Sequence, residues 1–269
     1  MVLQKDKINI IKDIVKKAGS IALSFQKQSL EVNRKEDKSI VTQADVAVQT
    51  FLLDELAKSF PDAGFIYEEN FDRTSNPIAE KDLTFIIDPI DGTAMFSMKM
   101  PVWCVSVGVF SNITPLYGFI YAPALDIFCY NDNDSAFYNN AIVKVRKNFK
   151  IDNETNIFSS SEIQKEYYAS FKGKCRNLGS TALQSVLIIN NEVNRTLAFI
   201  GDSCLWDWAG SLPIILKAGG NIRYLNGNEF NFDEIVQNNY WLPDHLIAYA
   251  IDDFDYMKNI FKKIPKEFM

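Results

Sequence analysis

The stretch "TFIIDPIDGTAMF", Thr84 to Phe96, decides how the chain is read. Its apolar run, Phe85-Ile86-Ile87, reads as a buried strand and ends abruptly on Asp88. Asp91 follows after Pro89 and Ile90, and Gly92 and Thr93 come next. Like charges repel, and a carboxylate buried without a partner costs several kcal/mol. Two acids at the mouth of a core strand therefore call for positive charge.

Working outward, "FIYEEN" predicts a second short strand, again ending in acids at Glu68 and Glu69. Upstream, Ile8, Ile11, Ile14, Val15, Ala18, Ile21, Ala22 and Phe25 recur at helical spacing and predict a core-facing helix over 6–28. "KEDKSIVTQAD" reads as a polar loop entering a second helix, capped near Thr42 and closed by "PDAG". Downstream, "VSVGVFS", "LYGFIYA", "DIFCYN", "SAFYNN" and "IVKV" alternate with turn residues and predict an antiparallel meander. A polar seam over 149–156 divides the chain into an N-terminal half, 1–148, and a C-terminal half, 149–269.

The second half alternates. Strands are predicted at "NIFSSS", "KCRNL", "TLAFIG", "NIRYL" and "HLIAYAI". Helices are predicted over 162–171, over "STALQSVLIINNE" with Ser180 as N-cap, over "WDWAGSLPIILKAGG", and at the last residues. The class is α/β, in layers of helices and sheets.

The totals narrow the function. The 269 residues are 47% hydrophobic with a net charge of −6, which suits a packed globular protein and argues against a nucleic acid polymer as partner. No apolar run reaches the ~18 residues of a membrane span, and the start is too charged for a signal peptide. Four scattered cysteines without C-x-x-C read as reduced thiols in a cytoplasmic protein. The single histidine, His245, opens a predicted core strand and reads as structural. A His-rich zinc site is excluded, and neither common nucleotide-cradling glycine motif occurs.

What remains is a constellation of acids: Glu68 and Glu69, Asp88 and Asp91, and Asp207 at a helix start in "LWDWAG". Strand ends are where open α/β sheets place ligands. Oxygen donors without His or Cys favour Mg²⁺, Ca²⁺ or Mn²⁺ over zinc, and the Ile90 carbonyl is a further hard oxygen. Asp207 has a second explanation as an anion held by the helix dipole.

Together "YEEN" at 67–70, "DPIDGT" at 88–93 and "WDWAG" at 206–210 resemble, in order and spacing, the signature set of the inositol monophosphatase family of lithium-sensitive Mg²⁺-dependent phosphatases. "VTQAD" at 41–45 and "GSTAL" at 179–183 extend the likeness across residues 40–220. The resemblance implies a layered αβαβα sandwich, like inositol monophosphatase and fructose-1,6-bisphosphatase, with mixed sheets, flanking helices and a site between the halves. It implies two or three Mg²⁺ ions. Glu68, Asp88 and the Ile90 carbonyl would hold the first and Asp88, Asp91 and Asp207 the second, with Glu68 reaching a third. Thr93 and Asp45, with Glu68, would be catalytic, orienting and deprotonating the attacking water. Asp91, Gly92, Thr93, Gly179, Ser180, Thr181 and Asp202 would face the substrate. A cytoplasmic homodimer acting on a small phosphorylated metabolite is the matching expectation.

The sequence departs from the family at particular places. Tyr67 stands where the family has glycine, Ala94 and Met95 replace two polar residues, and "NDSAFYNN" erodes a glycine-rich pattern. Ile200 occupies the place of a glutamate that holds inositol hydroxyls, leaving Asp202 as a shorter stand-in. Substrate readings are therefore inositol phosphate or a related sugar or polyol phosphate, fructose 1,6-bisphosphate, or a 3′(2′),5′-bisphosphate nucleotide, which would want an adenine slot. A non-catalytic binder of phosphorylated ligands is the reading from another class.

Overall fold

The computed structural model describes residues 2–28, 32–34, 40–74, 77–148 and 150–265; residues 35–39 of the predicted polar loop lie outside the described residues. The predicted first helix forms as α1 (Lys5–Gln26), burying Ile8, Ile11, Ile14, Val15, Ala18 and Ala22 and leaving Lys5, Lys16 and Lys17 in solvent. After a small ribbon of β1 (Val32–Arg34) and β2 (Ile40–Thr42), α2 (Gln43–Ser59) starts on Thr42, whose hydroxyl accepts from the Ala44 N–H. Then come β3 (Gly64–Tyr67), α3 (Pro77–Glu80), β4 (Thr84–Asp91) and the short α4 (Thr93–Ser97). The predicted meander follows as β5 (Cys104–Ser111), β6 (Thr114–Ala122), β7 (Ile127–Asn131), β8 (Ala136–Tyr138) and β9 (Ala141–Val143). These strands make a sheet in the order β3-β4-β5-β6-β7-β8-β9, parallel only between β3 and β4.

The second half runs β10 (Asn156–Ser159), α5 (Ile163–Glu166), β11 (Tyr167–Ala169), β12 (Lys174–Arg176), α6 (Thr181–Val186), a 3₁₀ turn at Leu187–Asn190, and α7 (Asn191–Asn194). It continues with β13 (Thr196–Gly201), α8 (Leu205–Ala209), α9 (Ser211–Lys217), β14 (Asn221–Tyr224), α10 (Phe232–Gln237), β15 (Leu246–Tyr249), α11 (Phe254–Ile260) and β16 (Phe261–Lys263). Five of its strands form a second sheet, β12-β10-β13-β15-β14.

Several predicted elements are corrected. The helix expected over 162–171 stops at Glu166, because Tyr167–Ala169 pairs antiparallel with Phe261–Lys263. That pairing also ends the predicted terminal helix at Ile260. The helix expected from Ser180 onward breaks after Val186, and Asn191 beyond the break holds both the N–H and the carbonyl of Arg146. The helix expected from Trp206 divides at Gly210, because Pro213 has no N–H to offer the Ala209 carbonyl. The α10 helix was not expected; Asn231 caps it, and Phe232 and Ile235 fix it to the core.

The layers follow from which faces are apolar. α1 and α2 cover one side of the seven-stranded sheet, packing Ile11, Val15, Val48 and Leu52 on Phe85, Val107 and Phe119. α6, α8 and α9 lie between the sheets, where one apolar cluster joins Ile86, Phe110 and Ile120 to Phe199, Leu246 and Ala248 through Trp208, Leu212 and Ile214. α5 and α11 close the far side with Ile163, Met257 and Ile260 on Ile157, Ile200 and Ile247. This is the expected αβαβα sandwich. Among the described residues no helix is long and apolar enough to cross a membrane.

The central helices sit unusually close to the first sheet. A Cβ at Gly118 would overlap the Gly210 carbonyl oxygen, and one at Gly108 would overlap that of Ala209. Gly118→Ala therefore has to push the α8–α9 junction outward. Overpacking of this kind costs about 1–3 kcal/mol, and a fall in the denaturant midpoint of the purified variant checks it; an unchanged midpoint would mean that the layer has slack.

Candidate active site

Side chains alternate along a strand, so Asp88 and Asp91 should point to opposite faces of β4. They do not, because the pairing of β4 with β5 slips between them. Asp88 stands opposite Ser106 and Asp91 opposite Cys104, and the irregularity falls at Pro89-Ile90. The bulge turns both carboxylates to one place. Asp207 arrives there on the first turn of α8, where its Oδ2 accepts the Cys204 N–H at 3.0 Å. Asp88, Asp91 and Asp207 then offer oxygens that all lie within 4.8 Å of one another. Asp207 is thus both the helix-end anion and a member of the cluster.

The electrostatics are severe. Burial raises the Asp88 carboxyl well above its ordinary value, and Glu68, Asp91 and Asp207 push it further. Asp207 is raised to about 8 by burial, then by Asp91 and Glu68. Asp91 is raised only to about 6: burial lifts it, while the Ser180 hydroxyl and the N–H groups of Ala182 and Thr181 hold it down. Those N–H groups donate to Asp91 at 2.8 and 3.1 Å. The ion pairs formed by Arg146, Lys147 and Arg195 are all elsewhere, with Glu192, Asp252 and Asp152.

Beside the cluster, the Thr93 hydroxyl lies 2.9 Å from the Ile90 carbonyl and 3.1 Å from Asp45 Oδ1. The other carboxylate oxygen of Asp45 accepts the Thr42 N–H at 2.8 Å and its hydroxyl at 2.6 Å. Burial raises Asp45 to about 6 against these bonds, with Glu68 adding to the rise. A carboxylate poised there, fixed on one oxygen and joined to a hydroxyl on the other, is suited to accepting a proton. Gly92, at φ +93°, makes the left-handed turn between Asp91 and Thr93, and the carbonyl of Gly179 packs against it.

The remaining predicted residues divide. Glu68 follows β3, its N–H on the Ile87 carbonyl at 3.2 Å, and its charge is felt by Asp45, Asp88 and Asp207. Ser180 and the Thr181 N–H bond to Asp91, so the turn read as facing substrate also anchors an acid. Asp202 is drawn to His245, with Oδ1 3.2 Å from Nδ1. His245 is buried against Tyr167, as the structural reading had it. Met95 lies on the Gly179 turn, where a Cβ would come within 2.7 Å of its Cγ, and Ala94 faces solvent.

Sequence reasoning missed Cys104, whose buried thiol lies 3.6 Å from Asp91 Oδ2. It also missed Gln49, whose amide grips the Glu69 backbone at both N–H and carbonyl, each at 2.9 Å. A buried position on the polar-looking start of α2 was the available signal. Glu69 itself is buried.

The donor set tests the fit of a metal. Only oxygen ligands are gathered, three carboxylates compete for one volume, and no described lysine or arginine pairs with them. Hard divalent cations match such a site.

Comparison with known proteins agrees with this geometry. Residues 4–253 match the inositol monophosphatase family. A fructose-1,6-bisphosphatase/inositol-1-monophosphatase of Thermotoga maritima is 29% identical over 240 residues, covering 84% of this chain and 88% of that one. Inositol monophosphatase 3 of Solanum lycopersicum is 29% identical over 274 residues, covering 89% and 94%. Among solved structures, a Thermotoga maritima IMPase superposes with a TM-score of 0.78 at 25% identity, covering 95% of this chain and 96% of that one. The acid triad, the layered fold and a match running nearly end to end lead to one conclusion: the chain belongs to the inositol monophosphatase family and is a phosphoric monoester hydrolase.

Proposed function

We propose that this protein hydrolyses a small sugar or polyol phosphate with Mg²⁺ as cofactor, two or three ions to a site. The observation that carries the proposal is the convergence of Asp88, Asp91 and Asp207 within 4.8 Å, with none of the described lysines or arginines paired to them. In this reading Glu68, Asp88 and the Ile90 carbonyl hold one ion, and Asp88, Asp91 and Asp207 a second. Glu68 reaches a third. The N-terminal half, 1–148, supplies most of the ligands, and the C-terminal half, 149–269, supplies Asp207. When bound, the ions neutralise the phosphate, lower the pKa of the attacking water and steady the departing oxygen.

The chain's own residues do the rest. Thr93 orients the attacking water, and Asp45, poised near neutrality, takes its proton. The N–H groups of Gly92 and Thr93 meet the phosphate. Gly179, Ser180 and Thr181 set Asp91 in place and border the substrate. Ile200, buried in β13, offers no carboxylate where the family's inositol enzymes hold hydroxyls with a glutamate. Asp202 stands nearby with one oxygen beside His245. This favours a substrate whose hydroxyls are not gripped by a long acidic arm. A lithium-sensitive homodimer in the cytoplasm completes the proposal.

The deciding experiment is phosphate release from inositol 1-phosphate, fructose 1,6-bisphosphate and adenosine 3′,5′-bisphosphate, with and without Mg²⁺ and with Li⁺ as inhibitor. Mg²⁺-dependent, Li⁺-sensitive turnover of a sugar or polyol phosphate is expected. Turnover of the nucleotide alone would overturn the substrate class. Silence on all three, with Mg²⁺ still raising the melting temperature, would mean a metal site that serves another phosphate ester or a binding role.

Asp88→Asn should abolish turnover and leave the fold intact; full activity would sink the assignment. The same group governs stability when metal is removed. Acids raised above their unfolded value bind more protons folded than unfolded. Their contribution is complete below about pH 4 and lost as pH climbs through about 6 to 8. Chelated protein should therefore melt lower at pH 8 than at pH 6, and Mg²⁺ or Asp88→Asn should flatten that slope. Thr93→Ala should cut kcat by about a hundredfold or more with little change in the Mg²⁺ midpoint. An unchanged kcat would remove Thr93 from water positioning.

A further inference from the structure

The acid cluster is assembled from two directions. Glu68 comes from the segment after β3, and Asp207 from α8. The segment 68–74 has no helix or strand to hold it, yet beyond the Glu68 N–H bond to the Ile87 carbonyl it is fastened at three further points. Gln49 grips the Glu69 backbone. The Phe71 ring meets Tyr240 edge to face, with centroids 5.3 Å apart. Arg73 makes the third fastening. Its Nη1 donates to the Asn239 carbonyl at 2.6 Å and its Nη2 to Cys204 Sγ at 3.7 Å. Its guanidinium lies 4.7 Å from the Trp206 ring and 5.9 Å from that of Trp241.

Every one of these Arg73 contacts lies on or beside the entry to α8. Cys204 is the N-cap of that helix and gives its N–H to Asp207. Trp206 is the residue before Asp207. Trp241 forms a β-bridge with Cys204. Asn239 and Tyr240, the receiving residues, hold left-handed φ values of +53° and +67°, a conformation that non-glycine residues keep only where their surroundings impose it. The Cys204 thiol lies within the field of Arg73, Asp207 and Glu68 alike.

We propose that Arg73 is a positioning residue that locks the Glu68 segment onto the Asp207 helix, so that the two sides of the metal site close on each other. The inference rests on the proposed reading of Glu68 and Asp207 as metal ligands. Arg73 touches neither acid. It acts by removing the freedom of the four residues between itself and Glu68, so the site is built before a cation arrives. Lysine keeps the charge but loses the planar fork and the stacking on two indoles, so it is not an equivalent.

The test compares wild type with Arg73→Ala and Arg73→Lys, adding Trp241→Ala as a milder variant because that ring is exposed. Hydrogen exchange of residues 68–74 in chelated protein reads the lock directly. The Mg²⁺ concentration at half-maximal thermal shift reads its consequence. Expected are faster exchange confined to 68–74 and a rise of about tenfold in the Mg²⁺ midpoint for Arg73→Ala. Arg73→Lys and Trp241→Ala should move the same way by less, with kcat at saturating Mg²⁺ largely retained. Wild-type exchange and an unmoved midpoint in Arg73→Ala, with wild type still responding to Mg²⁺, would overturn the lock and leave the metal site standing. No Mg²⁺ response in wild type would overturn the metal reading and this inference with it. If Arg73→Ala does not fold, Trp241→Ala decides on the same two readouts.

Discussion

Three carboxylates crowded into one partly buried volume are the constraint on which everything else in this protein depends. At an effective dielectric near 20, two unit charges a few ångströms apart repel by about 3–4 kcal/mol. Asp88, Asp91 and Asp207 make three such pairs. A domain of this size is stable by only about 5–15 kcal/mol, so full ionisation of the triad without compensation would use most of it. The chain therefore holds protons there or holds cations. The raised Asp88 and Asp207 are the metal-free form of that choice.

The architecture supplies what such a cluster needs. A slipped register in β4 turns two acids of one strand the same way. A helix start brings the third and ties it to the Cys204 N–H. Three donors from the 180–182 turn fasten Asp91, which joins the second half of the chain to the first at the most charged point. Glycines at 108, 118 and 210 let the helix layer that carries Asp207 sit against the sheet that carries Asp88. Packing and electrostatics are thus coupled, since a shift of that layer is a shift of one ligand against two others.

Much of this was legible in the chain. The stripe of Ile8, Ile11, Ile14 and Val15 has helical period, and the meander has a period of two punctuated by turns. Both are local patterns, and both formed as expected. The acids could be paired in advance because their residue type and strand-end placement carry chemical meaning. What misled was local pattern overridden from far away. Tyr167–Ala169 has residues a helix tolerates, but Phe261–Lys263 captures it as a strand. Asn231 to Gln237 carries a helix cap, but with only Phe232, Ile235 and Val236 among polar residues its apolar spacing is too short to mark a helix.

The sequence by itself determined the layered α/β class, the oxygen-only donor set and the identity of the acids, because these depend on composition, period and residue chemistry along short stretches. Tertiary structure alone decided that Asp88 and Asp91 face the same way, since that depends on a bulge in register with a neighbouring strand. It decided that Ser180 serves Asp91 and that Asp202 meets His245, pairs separated by scores of residues. It brought Arg73 within reach of two tryptophan rings. Such contacts are set by how layers stack, and no local spacing encodes the stacking.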